Sequence, residues 1–96
     1  MTLERRVRPK ELVEGDFLLG TPTDPLGRIA QQFARNLHEA MEGRSGRAFE
    51  RESGMSNASV VRILKGQVWP DAVTIARLEV ATGRALWPPY AGAAPR

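Results

Sequence analysis

Apolar residues recur every four positions between residues 29 and 41, at Ile29, Phe33, Leu37 and Met41, with Ala30, Ala34 and Ala40 beside them. That spacing draws one apolar stripe down a helix. Asp24 is placed to cap its start, with Pro25 at the first helical position, and Gly43 follows as a stop. The same logic predicts three more helices. A short one spans about Gly46–Ser53, with Ser45 as its cap, Ala48 and Phe49 as its apolar positions and Gly54 ending it in a left-handed conformation. The next spans 56–65, capped by Ser56, with Val60, Ile63 and Leu64 facing inward, Met55 packing just before the cap and Gly66 ending it. The fourth lies in "DAVTIARLEVATG", starts at Pro70 or Asp71, draws its buried side from Val73, Ile75, Ala76, Leu78 and Ala81, and closes at Gly83. A last turn is expected around Ala85–Trp87, stopped by Pro88 and Pro89.

Ahead of these helices, residues 1–24 read as an extension, and residues 89–96 as a tail. The organisation expected is therefore 1–24 as an N-terminal arm, 25–88 as the domain and 89–96 as the tail. The fold class is all-α, a compact bundle of four to five helices with an N-terminal extension. Within the extension, "LVEGDFLLG" is apolar enough at Leu12, Val13, Phe17, Leu18 and Leu19 to want a partner surface, either the core or a second subunit. The only strand signal is a weak one in 12–19.

Composition narrows the function. The 96-residue chain fits one small domain with little stability to spare, so dimerisation would help it. It has no cysteine, which excludes disulfides and thiolate metal sites, and its single histidine, His38, is too few for a histidine metal site. No cofactor is expected. No apolar run approaches the roughly 18 residues of a membrane helix. The basic N-terminus has no apolar stretch behind it like that of a secretion signal, so a cytoplasmic, nucleoid-associated location is expected. An enzyme is the least expected class, because no nucleophile–base set, metal cluster or phosphate loop is visible.

Charge is unevenly placed within a net +3. Residues 1–10 carry +3 (Arg5, Arg6, Arg8 and Lys10 against Glu4), residues 11–24 carry −4 (Glu11, Glu14, Asp16 and Asp24), and residues 44–66 carry +3 (Arg44, Arg47, Arg51, Arg62 and Lys65 against Glu50 and Glu52). A basic segment that coincides with helices points to nucleic acid, though charge alone would fit a solvated surface as well. Arginine outnumbers lysine 12 to 2, and its fork suits phosphate and guanine.

The opening of the third helix, "SNAS", is sharper. Small polar residues there allow close approach to another surface. Two short helices joined by a glycine turn, the second capped by serine, have the form of a helix-turn-helix, whose second helix enters the DNA major groove. Asn57 can bond adenine through both amide atoms, Ala58 can touch a thymine methyl and Arg62 can fork onto guanine. Ser59, Lys65 and the first N–H groups of the second helix suit phosphates. The residues also allow Asn57 to be a plain helix-start residue and Ser59 to be merely solvated. Arg62 can equally serve base contact, phosphate contact or an intrachain ion pair. The basic arm is either a loose terminus or a minor-groove contact. Trp69 and Trp87 read as core or dimer-interface residues, and His38 as a surface or boundary residue.

The run "RSGRAFERESGMSNASVVRILKG" followed by "QVWPDAVTIARLEVATG" resembles the lambda-repressor-like (Xre/Cro-like) helix-turn-helix family. The matching positions are Phe49, Gly54, Met55, Ser56, Val60, Ile63, Lys65, Gly66, Pro70, Leu78, Ala81 and Gly83, and with the first helix the likeness covers residues 25–87. It implies a bundle of four or five helices and a transcription regulator, phage repressor or antitoxin, with DNA bound by a dimer in many members. It places Asn57, Ala58 and Arg62 at base-reading positions and Gly46, Arg47, Ser59, Lys65 and Gln67 near phosphates. Two positions depart from it. Glu50 stands where the family usually has a small residue, so its carboxylate must reach outward or pair with Arg62 or Arg47. Ser53 stands where leucine is commoner.

The expectation is a repressor that binds double-stranded DNA as a homodimer on a palindromic operator, with a protein partner possible through the extension. Two alternatives are carried: an antitoxin that also represses its own promoter and holds a toxin through the 12–19 segment or the tail, and a protein-interaction module that has lost DNA binding. Glu50, Glu52 and the acidic 11–24 stretch favour the last.

Overall fold

The computed structural model describes residues 7–89, so Arg5 and Arg6 of the basic arm and residues 90–96 of the tail lie outside the described residues. Four helices carry most of the chain: α1 (Pro25–Met41), α2 (Gly46–Ser53), α3 (Asn57–Leu64) and α4 (Ala72–Thr82). All four start on the cap that local chemistry dictates. Asp24 accepts the Leu26 N–H at 2.7 Å, Ser45 the Ala48 N–H at 3.0 Å, Ser56 the Ser59 N–H at 3.1 Å and Asp71 the Thr74 N–H at 2.8 Å. Each bond satisfies a donor that the helix itself leaves open.

The main core lies between the helices. Phe33, Leu37 and Ala40 of α1 meet Phe49 of α2, Val60 and Ile63 of α3, and Leu78 and Leu86, with Met41, Met55, Leu64 and Ile75 packed at the margin. Leu37 and Leu78 are wholly enclosed.

The N-terminal segment folds back on the core. A 3-10 turn at Pro9–Leu12 leads into β1 (Val13–Glu14), which pairs antiparallel with β2 (Thr21–Pro22), Val13 opposite Pro22 and Glu14 opposite Thr21. This small sheet adds to the helical bundle that the periodicity predicts. It gives hydrogen-bond partners to an extended segment laid across a helix, where unpaired backbone groups would be costly. The carboxylate of Asp16 accepts the N–H groups of Leu18 and Leu19, both at 3.0 Å, and so closes the turn. Val13 and Phe17 bury against Ala30 and Ala34 of α1, with Leu18 and Trp69 alongside. Buried Gln31 donates its amide to the carbonyls of Phe17 (3.0 Å) and Gly20 (2.8 Å).

Helix α4 departs from expectation. Leu78 and Thr82 are buried and Ile75 and Ala81 are half-buried, but Val73 (63% exposed) and Ala76 face outward together with Val80 (83% exposed). Two stripes, 75–78–82 and 73–76–80, both satisfy helical spacing, and only packing on α2 and α1 selects between them. The expected last turn at Ala85–Trp87 is not helical either. Side chains hold this segment instead: Glu79 accepts the N–H groups of Leu86 (2.8 Å) and Trp87 (3.0 Å), and Asn36 donates to the Leu86 carbonyl at 2.8 Å. The bonds from Trp87 and Leu86 hold the Glu79 carboxyl below the ordinary carboxylate range. The ring of Trp87 rests on Phe33 at 5.3 Å between centroids, which makes it a core-margin residue.

Candidate nucleic-acid interface

Helices α2 and α3 meet through a three-residue turn whose conformation depends on Gly54, at φ 73°. A side chain there is strained, and its first carbon would stand 3.1 Å from the Arg77 guanidinium. Serine and glutamate satisfy the turn's backbone. The Gly54 N–H donates to the Glu50 carbonyl at 2.9 Å, the Met55 N–H to the Ser53 hydroxyl at 3.1 Å, and the Asn57 N–H to the Glu50 carboxylate at 2.7 Å.

Glu50 therefore does not pair with Arg62 or Arg47. It reaches outward and caps the start of α3, where open N–H groups and the helix dipole favour a negative charge. Ser53, the other departure, is buried and uses its hydroxyl on the turn. Sequence reasoning missed both roles. A carboxylate seven residues before a helix start was the available signal, hidden because its partner is a backbone group rather than a basic side chain.

The face of α3 divides as the pattern predicts. Val60 and Ile63 are buried, whereas Asn57, Ala58, Arg62 and Lys65 are exposed. Ala58 and Arg62 stand one turn apart on one side. Asn57 lies against the start of α2: a side-chain carbon on Gly46 would be 3.9 Å from the Asn57 Oδ1. Gly46 and Arg47, both exposed, thus share one surface with Asn57. Ser59 is half-buried, its hydroxyl 3.0 Å from that of Ser56. It borders a shallow recess with Arg62, Trp69 and Asp71. Arg62 forms no ion pair with any described residue, which removes one of its three possible uses. Lys65 follows α3, and Gln67, half-buried, donates its N–H to the Arg62 carbonyl at 2.9 Å.

The surface is mixed in charge. Arg47, Arg51, Arg62 and Lys65 supply exposed positive groups. Glu50 places one carboxylate at the α3 start, and Glu52 is held by Arg44 at 2.9 Å. Thr74, through its N–H and hydroxyl, holds the Asp71 carboxyl below the ordinary range.

No family model, curated protein or solved structure matches the chain. Among the described residues no helix is long and apolar enough to cross a membrane.

Proposed function

We propose that this chain is a sequence-specific DNA-binding transcription regulator of the lambda-repressor-like type, a repressor that binds a palindromic operator as a homodimer. In this reading α2 and α3 are the helix-turn-helix and α3 enters the major groove. The observation that carries it is the division of α3: small polar and basic residues exposed on one side, Val60 and Ile63 buried on the other. A helix so divided can lie in a groove without losing its hold on the core. Asn57, Ala58 and Arg62 read bases. Gly46, Arg47, Ser59, Lys65 and Gln67 hold phosphates and fix the register. In a two-fold dimer the half-sites lie about 34 Å apart.

Selection of bound duplexes from a random pool tests the reading. The expected result is a palindromic site for which Asn57→Ala loses about 1–3 kcal/mol at one base position while the salt dependence stays the same. An Asn57→Ala protein that binds the selected site as tightly as the parent removes the base contact. If no sequence is enriched and no duplex is shifted at low salt, DNA binding itself is wrong.

One observation favours a second reading, a protein-interaction module without DNA binding: the Glu50 carboxylate sits at the α3 start, where a phosphate would be repelled. In the antitoxin reading, a toxin would meet an extension whose Val13 and Phe17 are already buried and whose most exposed large apolar side chain, among the described residues, is Leu19, 82% exposed.

A further inference from the structure

We propose that Lys10, held beside the end of α3 by the folded N-terminal segment, is a further phosphate-binding side chain, and that residues 7–10 form a second edge of the DNA interface. The proposal rests on the DNA-binding reading above and adds to it a part of the chain far from α3 in sequence.

Two hydrogen bonds clamp this segment to the loop that follows α3. The Lys10 N–H donates to the Gly66 carbonyl at 2.9 Å, and the Trp69 indole N–H donates to the Val7 carbonyl at 2.6 Å. Between them Pro9 is fully buried. Phe17 completes the clamp from the other side, its ring where a side chain on Gly66 would begin. Val7–Lys10 is thus a fixed part of the surface, not a loose arm.

The clamp decides where the charge goes. Lys10 is exposed, and its backbone is bonded to the residue directly after Lys65 and directly before Gln67. Two exposed lysines far apart in the sequence are thereby brought to the same end of α3, Lys65 next to the residue that the Lys10 backbone bonds. Arg8, by contrast, lies against Glu11 at 3.0 Å, and its charge is offset there. Lys10 forms no ion pair with any described residue. A DNA strand carries a phosphate about every 3.4 Å of helix axis, so two unpaired lysines at one end of α3 can each neutralise a phosphate of the backbone beside the groove. The contact carries no sequence information; it adds affinity and fixes the angle at which α3 meets the duplex.

The test is the salt dependence of binding to a labelled random-sequence duplex, measured on the full chain and on Lys10→Ala, Lys65→Ala, Lys10→Arg and Arg84→Ala. Each lost phosphate contact lowers the slope of log affinity against log salt by about 0.9. Lys10→Ala and Lys65→Ala are each expected to lose that amount. Lys10→Arg is expected to keep the parent slope, and so is Arg84→Ala, which lies just past the C-terminal cap of α4. Since the Lys10 backbone makes the clamp, all four variants should melt with the parent. A Lys10→Ala slope equal to the parent's, with the Lys65→Ala slope reduced, overturns this proposal and leaves the DNA-binding reading standing. No salt-dependent binding by the parent overturns both.

Discussion

At Gly66 the backbone and the packing make the same demand. Its φ is +70°, and a first side-chain carbon would come within 2.7 to 2.9 Å of three ring carbons of Phe17. Gly43 provides the comparison: its φ is +81°, but nothing lies within 4 Å of the same position. Alanine at either site meets a backbone cost of about 1–2 kcal/mol. At Gly66 it also has to displace a buried ring, an overpacking cost of about 1–3 kcal/mol. Gly66→Ala is therefore expected to lower the melting temperature clearly more than Gly43→Ala, with each kcal/mol worth about 4–8 °C in a domain of this size. Equal losses in a thermal melt would mean that the Phe17 ring yields freely. In the sequence Gly66 is legible as a helix stop and no more, because Phe17 is 49 positions away and nothing local announces it. Glu50 has the same character. Its charge is plain in the sequence, but its partner is the N–H of Asn57, which every residue except proline carries.

At the scale of elements, what was legible was local. The caps at Asp24, Ser45, Ser56 and Asp71 stand where expected, because a cap depends on three or four successive residues. The buried stripe of α4 was not legible, since two stripes fit the same period and a neighbouring helix decides between them. Helix α4 is also where pH acts on the fold. Asp71 caps its start, and Glu79 ties the following segment to it through Leu86 and Trp87. Both carboxyls are held below their ordinary range by these bonds. A carboxylate lowered on folding takes up its proton more readily in the unfolded chain. Its contribution is therefore complete above the unfolded pKa, about 4, and is lost as pH falls through the lower folded value. The contribution of these two carboxyls is expected to be flat from neutral pH to about 5 and to fall below about 4. Both side chains meet solvent, so the effect is modest. Glu79→Gln should reduce the acid-side fall in a series of melts against pH. An unchanged profile would mean that Glu79 does not hold Leu86 and Trp87 in solution.

Across the whole molecule, the N-terminal segment belongs to the same folding unit as the helices. Its apolar residues announce that they want cover, but whether the cover is this core or another subunit is a question of distant contacts that a sequence pattern does not answer. Val13 and Phe17 bury against Ala30 and Ala34, and the Gln31 amide donates to the Phe17 and Gly20 carbonyls of the hairpin. Burying a side chain such as valine or phenylalanine contributes about 1.5–3 kcal/mol, and a small domain has only about 5–15 kcal/mol in all. A chain that starts at Asp24 keeps the α1 cap, yet it exposes Ala30 and Ala34 and leaves the Gln31 amide to water. It is expected to lose most of its cooperative melt, and Phe17→Ala is expected to cost about 3–5 kcal/mol by the usual scale for buried aromatic residues. The same change frees the loop at Gly66, so the truncated chain should bind duplex DNA more weakly even at temperatures where it stays folded. If the shortened chain melted and bound as the parent does, the hairpin would be a passive cover, and the clamp that ties Lys10 to Gly66 would have no mechanical hold on α3.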